Sequence, residues 1–349
     1  MSKPLPILGI ETSCDDSAVG VCAGDVILAN RVASQIPLHV RFGGVVPEVA
    51  ARNHLASLLP TLQAALADAQ LQPGDLGGIA VTVRPGLIGA LLVGVQTART
   101  LALCWDLPLV GVDHIAAHVW AATLRRPDAP PVGLPLPFLA LAVSGGHTSL
   151  YRVGGPADLE LLGRTLDDAV GEAFDKVARL LDLPYPGGPS IDRLAPLGDK
   201  KRFELPRGMR GRNDLALSFS GLKTAVRLQA EALRGAGQLD AAATADLCAA
   251  FQGAAVAQLC HVTQKAARRH GLGDVVLAGG VAANTELRRE LAAVCAADGL
   301  RFWPVPLALC GDNGAMVAGL GAALLQAGHR DDPHALDATP TALARQILP

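Results

Sequence analysis

The strongest constraint on how this chain folds is a design that it carries twice. Pro6 to Val21, PILGIETSCDDSAVGV, places a polar turn at Thr12 to Ser17 between two apolar strands. Phe138 to Val153, FLALAVSGGHTSLYRV, places the small-residue turn Ser144 to Thr148 between two more, about 130 residues later. Val26 to Ala33 reads as a third strand beside the first pair. The same unit then follows each hairpin. Gly78 to Val83 is a strand, Pro85 to Gly89 a glycine turn, Ala90 to Cys104 an apolar helix and Leu109 to Val112 a strand. Asp274 to Ala278, Gly279-Gly280, a helix from Thr285 to Ala297 and Leu300 to Pro304 repeat that order. The reading is α/β with two duplicated lobes, residues 1–135 and 136–329, whose polar turns would face one another across a cleft and grip a phosphate-bearing ligand. A single sheet with helices on both faces is the rival. Residues 166–246 read as a helical insertion in the second lobe, and residues 330–349 as a poorly anchored tail.

Half of the 349 residues are hydrophobic and 18% are charged, so a core can be covered and disorder is excluded for the bulk of the chain. Aromatic residues make up only 3%, which requires an aliphatic core and leaves no row of rings on which bases could stack. A net charge of -2 argues against a generally basic surface. One local exception is Lys200 to Arg212, where Lys200, Lys201, Arg202, Arg207, Arg210 and Arg212 face a single acid, Glu204; this is a mobile surface loop or a site of RNA phosphate attraction. Seven cysteines, none spaced C-x-x-C, fit reduced thiols. The apolar run Ile7 to Ile10 is too short for a signal-peptide core, and the uncharged stretch 129–151 is broken by four prolines. The chain therefore reads as cytoplasmic, with no membrane.

In VDHIAAHVW, His114 and His118 are four apart and share one helix face, a spacing that suits two imidazoles on one transition metal or simply two helix-end histidines. Ile115 stands where an H-E-x-x-H peptidase needs its glutamate, so zinc-protease chemistry lacks its base. Asp312, in LCGDNGAM, is a candidate third ligand or the N-cap of the following helix. Ser144-Gly145-Gly146 can point backbone N–H groups at an anion, or be an ordinary turn. The acids Asp15 and Asp16 of the first turn could hold a phosphate-bound cation, or only form the turn. Asp168, Glu172 and Asp175 make one acidic stripe of a helix, either solvated or closing on a ribose together with Asp192 and the turn Tyr185 to Pro189. Gly279, Gly280 and Asn284 lie where a strand passes into a helix N-terminus, a common anion site.

Taken together these segments resemble the TsaD family, the catalytic subunits that make N6-threonylcarbamoyladenosine in tRNA. The resemblance rests on GIETSCDDSAVGV, FGGVVPEVAARNH, DHIAAH, LAVSGGHTSL, DDAVGEAFDKVARLLDLPYPGGPSID, SFSGLKTAV, LAGGVAANTELR and CGDNGAM, in that order and across nearly the whole chain. It implies the actin-like ATPase (ASKHA) fold around a central nucleotide cleft. It also implies that His114, His118 and Asp312 bind a divalent metal, Fe2+ with Zn2+ the alternative, and that Mg2+ accompanies nucleotide phosphates. Ala142, Val143, Ser144, Gly145 and Gly146 match the phosphate and acyl-adenylate loop, and Asp175, Gly188, Asp192 and Asn284 the nucleotide contacts. Glu11 and Asp15 are the candidates for proton transfer. Gly311 departs from the pattern, since many members carry Thr there. The implied reaction moves the threonylcarbamoyl group from threonylcarbamoyl-AMP to N6 of the adenosine 3′ of the anticodon, in tRNAs reading codons that begin with A, and releases AMP. An arginine-heavy, Ala/Gly-rich composition suggests a bacterial source, and hence the inactive paralogue TsaB and the P-loop ATPase TsaE as partners. The alternatives are an actin-like small-molecule kinase or ATPase, and a non-catalytic scaffolding paralogue.

Overall fold

The structure is a computed structural model and describes residues 4–206, 208 and 213–341. It holds two separate five-stranded sheets, which eliminates the single-sheet arrangement. Residues up to Leu134 form one compact unit with Gly154–Leu159 and the chain from Gly311; Pro135–Val153 and Glu160–Cys310 form the other.

In the first unit β1 (Pro6–Glu11), β2 (Asp16–Ala23) and β3 (Val26–Ser34) pair antiparallel in sequence. α1 (Ile36–His39) and α2 (Pro47–Ala69) follow, then β4 (Gly78–Arg84), α3 (Ile88–Trp105), β5 (Leu109–Asp113) and α4 (His114–Trp120). β4 and β5 join in parallel on the other side of β1, giving the order β3-β2-β1-β4-β5. The core is aliphatic, as the scarcity of rings demands: Leu8, Ile10, Val19, Val21, Ile79 and Val81 of the sheet meet Leu58, Leu62 and Val95 of α2 and α3. By length and composition α3 could cross a membrane. Here it packs on β4 and α2 with Ala90, Gly94, Ala98 and Ala102 inward, a spacing of about one turn, and leaves Ile88 and Leu103 exposed.

The second unit repeats the plan. β6 (Phe138–Val143), β7 (Thr148–Gly155) and β8 (Asp158–Arg164) precede α5 (Val170–Leu180), α6 (Gly187–Leu194), α7 (Ser220–Gly235) and α8 (Ala241–His270). β9 (Asp274–Ala278), α9 (Thr285–Ala297) and β10 (Arg301–Pro304) complete it. Read from its far edge the sheet runs β8-β7-β6-β9-β10, the same order as the first with each strand in its corresponding place. Among the described residues four α-helices stand between β8 and β9 where the first unit has two between β3 and β4.

The chain then returns to the first unit, so the boundary expected at 329 falls instead near Gly311. Contact with the first sheet draws α10 (Gly314–Gln326) there. A Cβ on Gly9 would lie 2.2 Å from the backbone nitrogen of Ala318, one on Gly20 2.3 Å from that of Ala315, and one on Gly314 2.0 Å from that of Gly20. Three glycines thus let the helix backbone rest directly on β1 and β2. Gly20→Val should cost about 3 kcal/mol through overpacking. A lowered urea-unfolding midpoint would show it, and an unchanged midpoint would refute the close approach.

The expected loose tail is corrected as well. The Asp331 carboxylate accepts from the Gly111 N–H at 2.7 Å and its own N–H donates to the Leu109 carbonyl at 2.8 Å. The Arg99 guanidinium donates to the carbonyls of Pro333 and His334, and Thr339 N–H to that of Val83. Backbone hydrogen bonds to β4 and β5 anchor a stretch whose prolines and acids had suggested the opposite. Residues 342–349 lie outside the described residues, as do Arg207, Arg210 and Arg212 of the basic segment.

Candidate metal centre and nucleotide site

The candidate metal ligands all belong to the first unit, two on α4 directly after β5 and the third just before α10. Asp113 closes β5 and caps α4, its carboxylate accepting from the N–H groups of Ile115 at 2.9 Å and Ala116 at 3.1 Å. This sets His114 in the first turn of α4 and His118 one turn on, with ring centroids 4.6 Å apart. The capping role weighed for Asp312 falls to its neighbour: Asn313 accepts from Met316 N–H at 2.9 Å. Asp312 is thereby turned toward α4, with Oδ1 lying 3.1 Å from His118 Nε2 and 3.6 Å from His114 Nε2. The three candidate donor atoms lie within 4.8 Å of one another.

Glu11, at the end of β1, is fully buried and committed. Its Oε1 accepts from Ser13 N–H at 2.6 Å; its Oε2 accepts from the Thr82 hydroxyl at 2.6 Å and faces His114 Nδ1 at 3.0 Å. An ionised carboxylate only accepts, so the proton of a neutral His114 sits on Nδ1 and its Nε2 lone pair points at the Asp312 carboxylate. Lone pair facing carboxylate repels unless a cation lies between them. Burial opposes charge on His114, but Glu11 and Asp312 outweigh it and push its pKa up to about 9. For Glu11, burial works upward, and the His114 charge together with hydrogen bonds from His114 and Ser13 brings it below its ordinary value. The field therefore favours positive charge at the focus of the three donors. Two imidazoles and one carboxylate fit Fe2+ or Zn2+, whereas Mg2+ prefers an all-oxygen shell. The Glu11–His114 contact is the outer-shell carboxylate that commonly orients a ligating histidine.

More negative charge stands nearby in the β1–β2 turn. Burial raises the pKa of Asp15, the Cys14 hydrogen bond opposes, and Asp312 adds to the rise. Burial also raises Asp16, against a hydrogen bond from Ser34, and repulsion from Asp312, Asp15 and Glu11 helps carry it to about 7. The Cys14 thiol is driven upward by burial and by Asp15, which leaves it protonated and a poor nucleophile.

The expected nucleotide residues all lie in the second unit. Ala142 and Val143 are buried at the end of β6, while Gly145 and Gly146 are exposed in the turn that Ser144 closes by donating its N–H to the His147 carbonyl at 2.8 Å. A Cβ on Gly171 would stand 2.5 Å from the Ser144 carbonyl oxygen, so the first turn of α5 lies directly against this loop. Midway along α5, Asp175 accepts from Gly187 N–H at 2.7 Å where α6 begins. α6 carries Gly188 and Asp192, and Asp192 accepts from Asn284 Nδ2 at 3.0 Å and from the Thr285 hydroxyl at 2.8 Å. Asp175, Gly188, Asp192 and Asn284 are thus gathered around one short helix. The acidic stripe is not preserved: Asp168 precedes α5 and pairs with Lys176 and Lys223, and Glu172 pairs with Lys176. Thr82 and Gln252 stand beside these candidates without having been singled out. Only their side-chain partners reveal them, since Thr and Gln at such places carry no spacing signal.

The sequence profile of TsaD, described as tRNA N6-adenosine threonylcarbamoyltransferase, matches residues 26–319. A protein of that description from Sorangium cellulosum is 51% identical over 348 residues, 97% of each chain. One from Paracoccus denitrificans is 52% identical, covering 95% of this chain and 92% of its own. The chain belongs to the TsaD family. As a TsaD protein it is a transferase that forms threonylcarbamoyladenosine in tRNA. Solved structures add the fold. HypF of T. kodakarensis superposes with a TM-score of 0.61 at 19% identity, over 94% of this chain and 49% of that one, so this TsaD spans about half the length of HypF. The ROK hexokinase from Thermus thermophilus gives 0.50 at 16% identity over 93% and 99%. The duplicated sheets are those of the actin-like ATPase (ASKHA) fold, which these neighbours share. At Gly311 a Cβ would meet no atom within 4 Å, so the Thr of many TsaD sequences would fit there.

Proposed function

We propose that this TsaD protein transfers the threonylcarbamoyl group directly from threonylcarbamoyl-AMP to N6 of the adenosine 3′ of the anticodon, in tRNAs reading codons that begin with A. The new bond joins N6 to the carbamoyl carbon, the bond from that carbon to the phosphate oxygen breaks, AMP leaves with the electron pair, and N6 gives up a proton. The observation that carries the reading is the meeting of His114, His118 and Asp312 at one point, with Glu11 holding the first histidine. Fe2+ is the proposed ion and Zn2+ the alternative; when bound, it supplies Lewis-acid polarisation of the carbamoyl oxygen.

The chain's own residues do the rest. Glu11 has both oxygens occupied, so its part is to orient His114 and not to move a proton. Asp15 takes the proton from N6, a task its raised pKa suits. A protonated Cys14 supports direct transfer over an acyl-enzyme. Ala142 to Gly146 hold the departing phosphate, with Mg2+ as its companion, and Asp175, Gly188, Asp192 and Asn284 hold the nucleoside. A small-molecule kinase of the same fold would need only Mg2+ and acids, and would have no use for the histidine pair.

The chain works in the cytoplasm with TsaB and TsaE. Leu55 and Leu59 on α2, and Ile88 and Leu103 on α3, stand exposed on two helices that pack side by side, which supports a helical protein partner on that face. The test is reconstitution: the purified chain, TsaB, TsaE, the synthase, threonine, bicarbonate, ATP and unmodified tRNA are incubated and the nucleosides weighed. Threonylcarbamoyladenosine in the digest is expected. Its absence, with ATP consumed on a small acceptor instead, would favour the kinase.

A further inference from the structure

Gln252 lies on α8 and is 1% exposed. Its Oε1 accepts from Asn284 Nδ2 at 2.8 Å and its Nε2 donates to Glu286 Oε2 at 3.1 Å. Asn284 is itself buried; its second Nδ2 hydrogen goes to Asp192, and its Oδ1 accepts from Leu287 N–H at 2.8 Å to cap α9. The chain Asp192–Asn284–Gln252–Glu286 is bounded at both ends by carboxylates. Ionised carboxylates only accept, so both amides can point only one way: each NH2 toward its carboxylate, and the Gln252 carbonyl toward Asn284. Asn284 therefore has both N–H donors engaged, and its place beside Asp192 is set from behind by Gln252.

We infer that Gln252 is a positioning residue for the nucleoside subsite: with Glu286 it fixes the Asn284 amide, and through it the Asp192 carboxylate, in the arrangement that receives AMP or the adenylate. The inference rests on the reading that Asn284 and Asp192 meet the nucleotide. Without the Gln252 carbonyl one buried Asn284 hydrogen has no acceptor, and Asp192 loses a rigid neighbour. In Q252E a second carboxylate faces Glu286, whereas Q252E/E286Q exchanges acid and amide and regenerates both hydrogen bonds.

The experiment measures AMP affinity by calorimetry on the full chain, together with KM and kcat for threonylcarbamoyl-AMP in the reconstituted system, for Q252L, Q252E, Q252E/E286Q and N284A. Q252L is expected to weaken AMP and raise KM about tenfold, the worth of one buried hydrogen bond, with kcat nearly unchanged. Q252E should do at least as much, and Q252E/E286Q should recover wild-type affinity. The rescue keeps the test decisive even if Q252L folds poorly. Wild-type AMP affinity in Q252L and Q252E, with N284A weakened, would overturn the positioning role. An unaffected N284A would instead overturn the nucleotide assignment beneath it. A double variant as weak as Q252E would also overturn the inference, because the hydrogen bonds would be back without their effect.

Discussion

His118→Ala is expected to lose transfer to tRNA by about a hundred- to a thousandfold, the scale seen when a group that stabilises transition-state charge is removed, while its melting temperature stays near that of the unaltered protein. His118 supplies one of the three candidate donors that meet among the described residues, on a short helix whose cap, Asp113, is untouched by the change. Among the described residues its ring is hydrogen-bonded through Nε2 to Asp312 and its buried Nδ1 has no partner, so little besides the metal site is lost. His114→Ala removes a donor too, but strands the buried Glu11 charge without its counter-charge, which costs about 3–5 kcal/mol of stability when a buried pair is broken. The two variants should therefore separate: both inactive, only His114→Ala markedly less stable. Nucleoside mass analysis and thermal melts on the same preparations check this. An active His118→Ala would remove the metal from the mechanism.

Glu11→Gln carries the second large expectation. The amide is nearly isosteric, so Ser13 and Thr82 keep a partner, but the negative charge that makes His114 present its Nε2 lone pair is gone. Metal affinity should fall about 10–100-fold, the usual loss when an outer-shell carboxylate is removed, and transfer should fall with it at limiting metal. Excess metal should restore most of the rate if Glu11 only orients His114. A rate that stays low at saturating metal would show that Glu11 moves a proton, contrary to the role argued from its occupied oxygens.

Much of this arrangement was legible in the residues because the signals are local and periodic. The paired hairpins, the α9 span Thr285 to Ala297 and the four-residue step from His114 to His118 follow from strand and helix repeats. What escaped depends on contacts distant in sequence. The return of α10 to the first unit turns on glycine backbones at 9, 20 and 314 meeting, and no window of sequence shows that approach. Asp312 and Asn313 are both good caps; which of them caps is decided by where α10 lies on the sheet. Asp168 fits the helical stripe by spacing, yet Lys223, 55 residues on, holds it before the helix begins. Gln252 and Thr82 have no motif at all, and only their partners mark them.

In the proposed mechanism the His114–His118–Asp312 focus holds a metal ion without which transfer does not occur. The most direct test of that requirement is single-turnover formation of threonylcarbamoyladenosine on unmodified tRNA from purified threonylcarbamoyl-AMP, before chelation, after it, and after Fe2+ or Zn2+ is returned one equivalent at a time. Loss on chelation and recovery that saturates at one ion per chain are expected, with Asp312→Ala unresponsive to added metal. Full activity in the chelated protein would contradict the requirement.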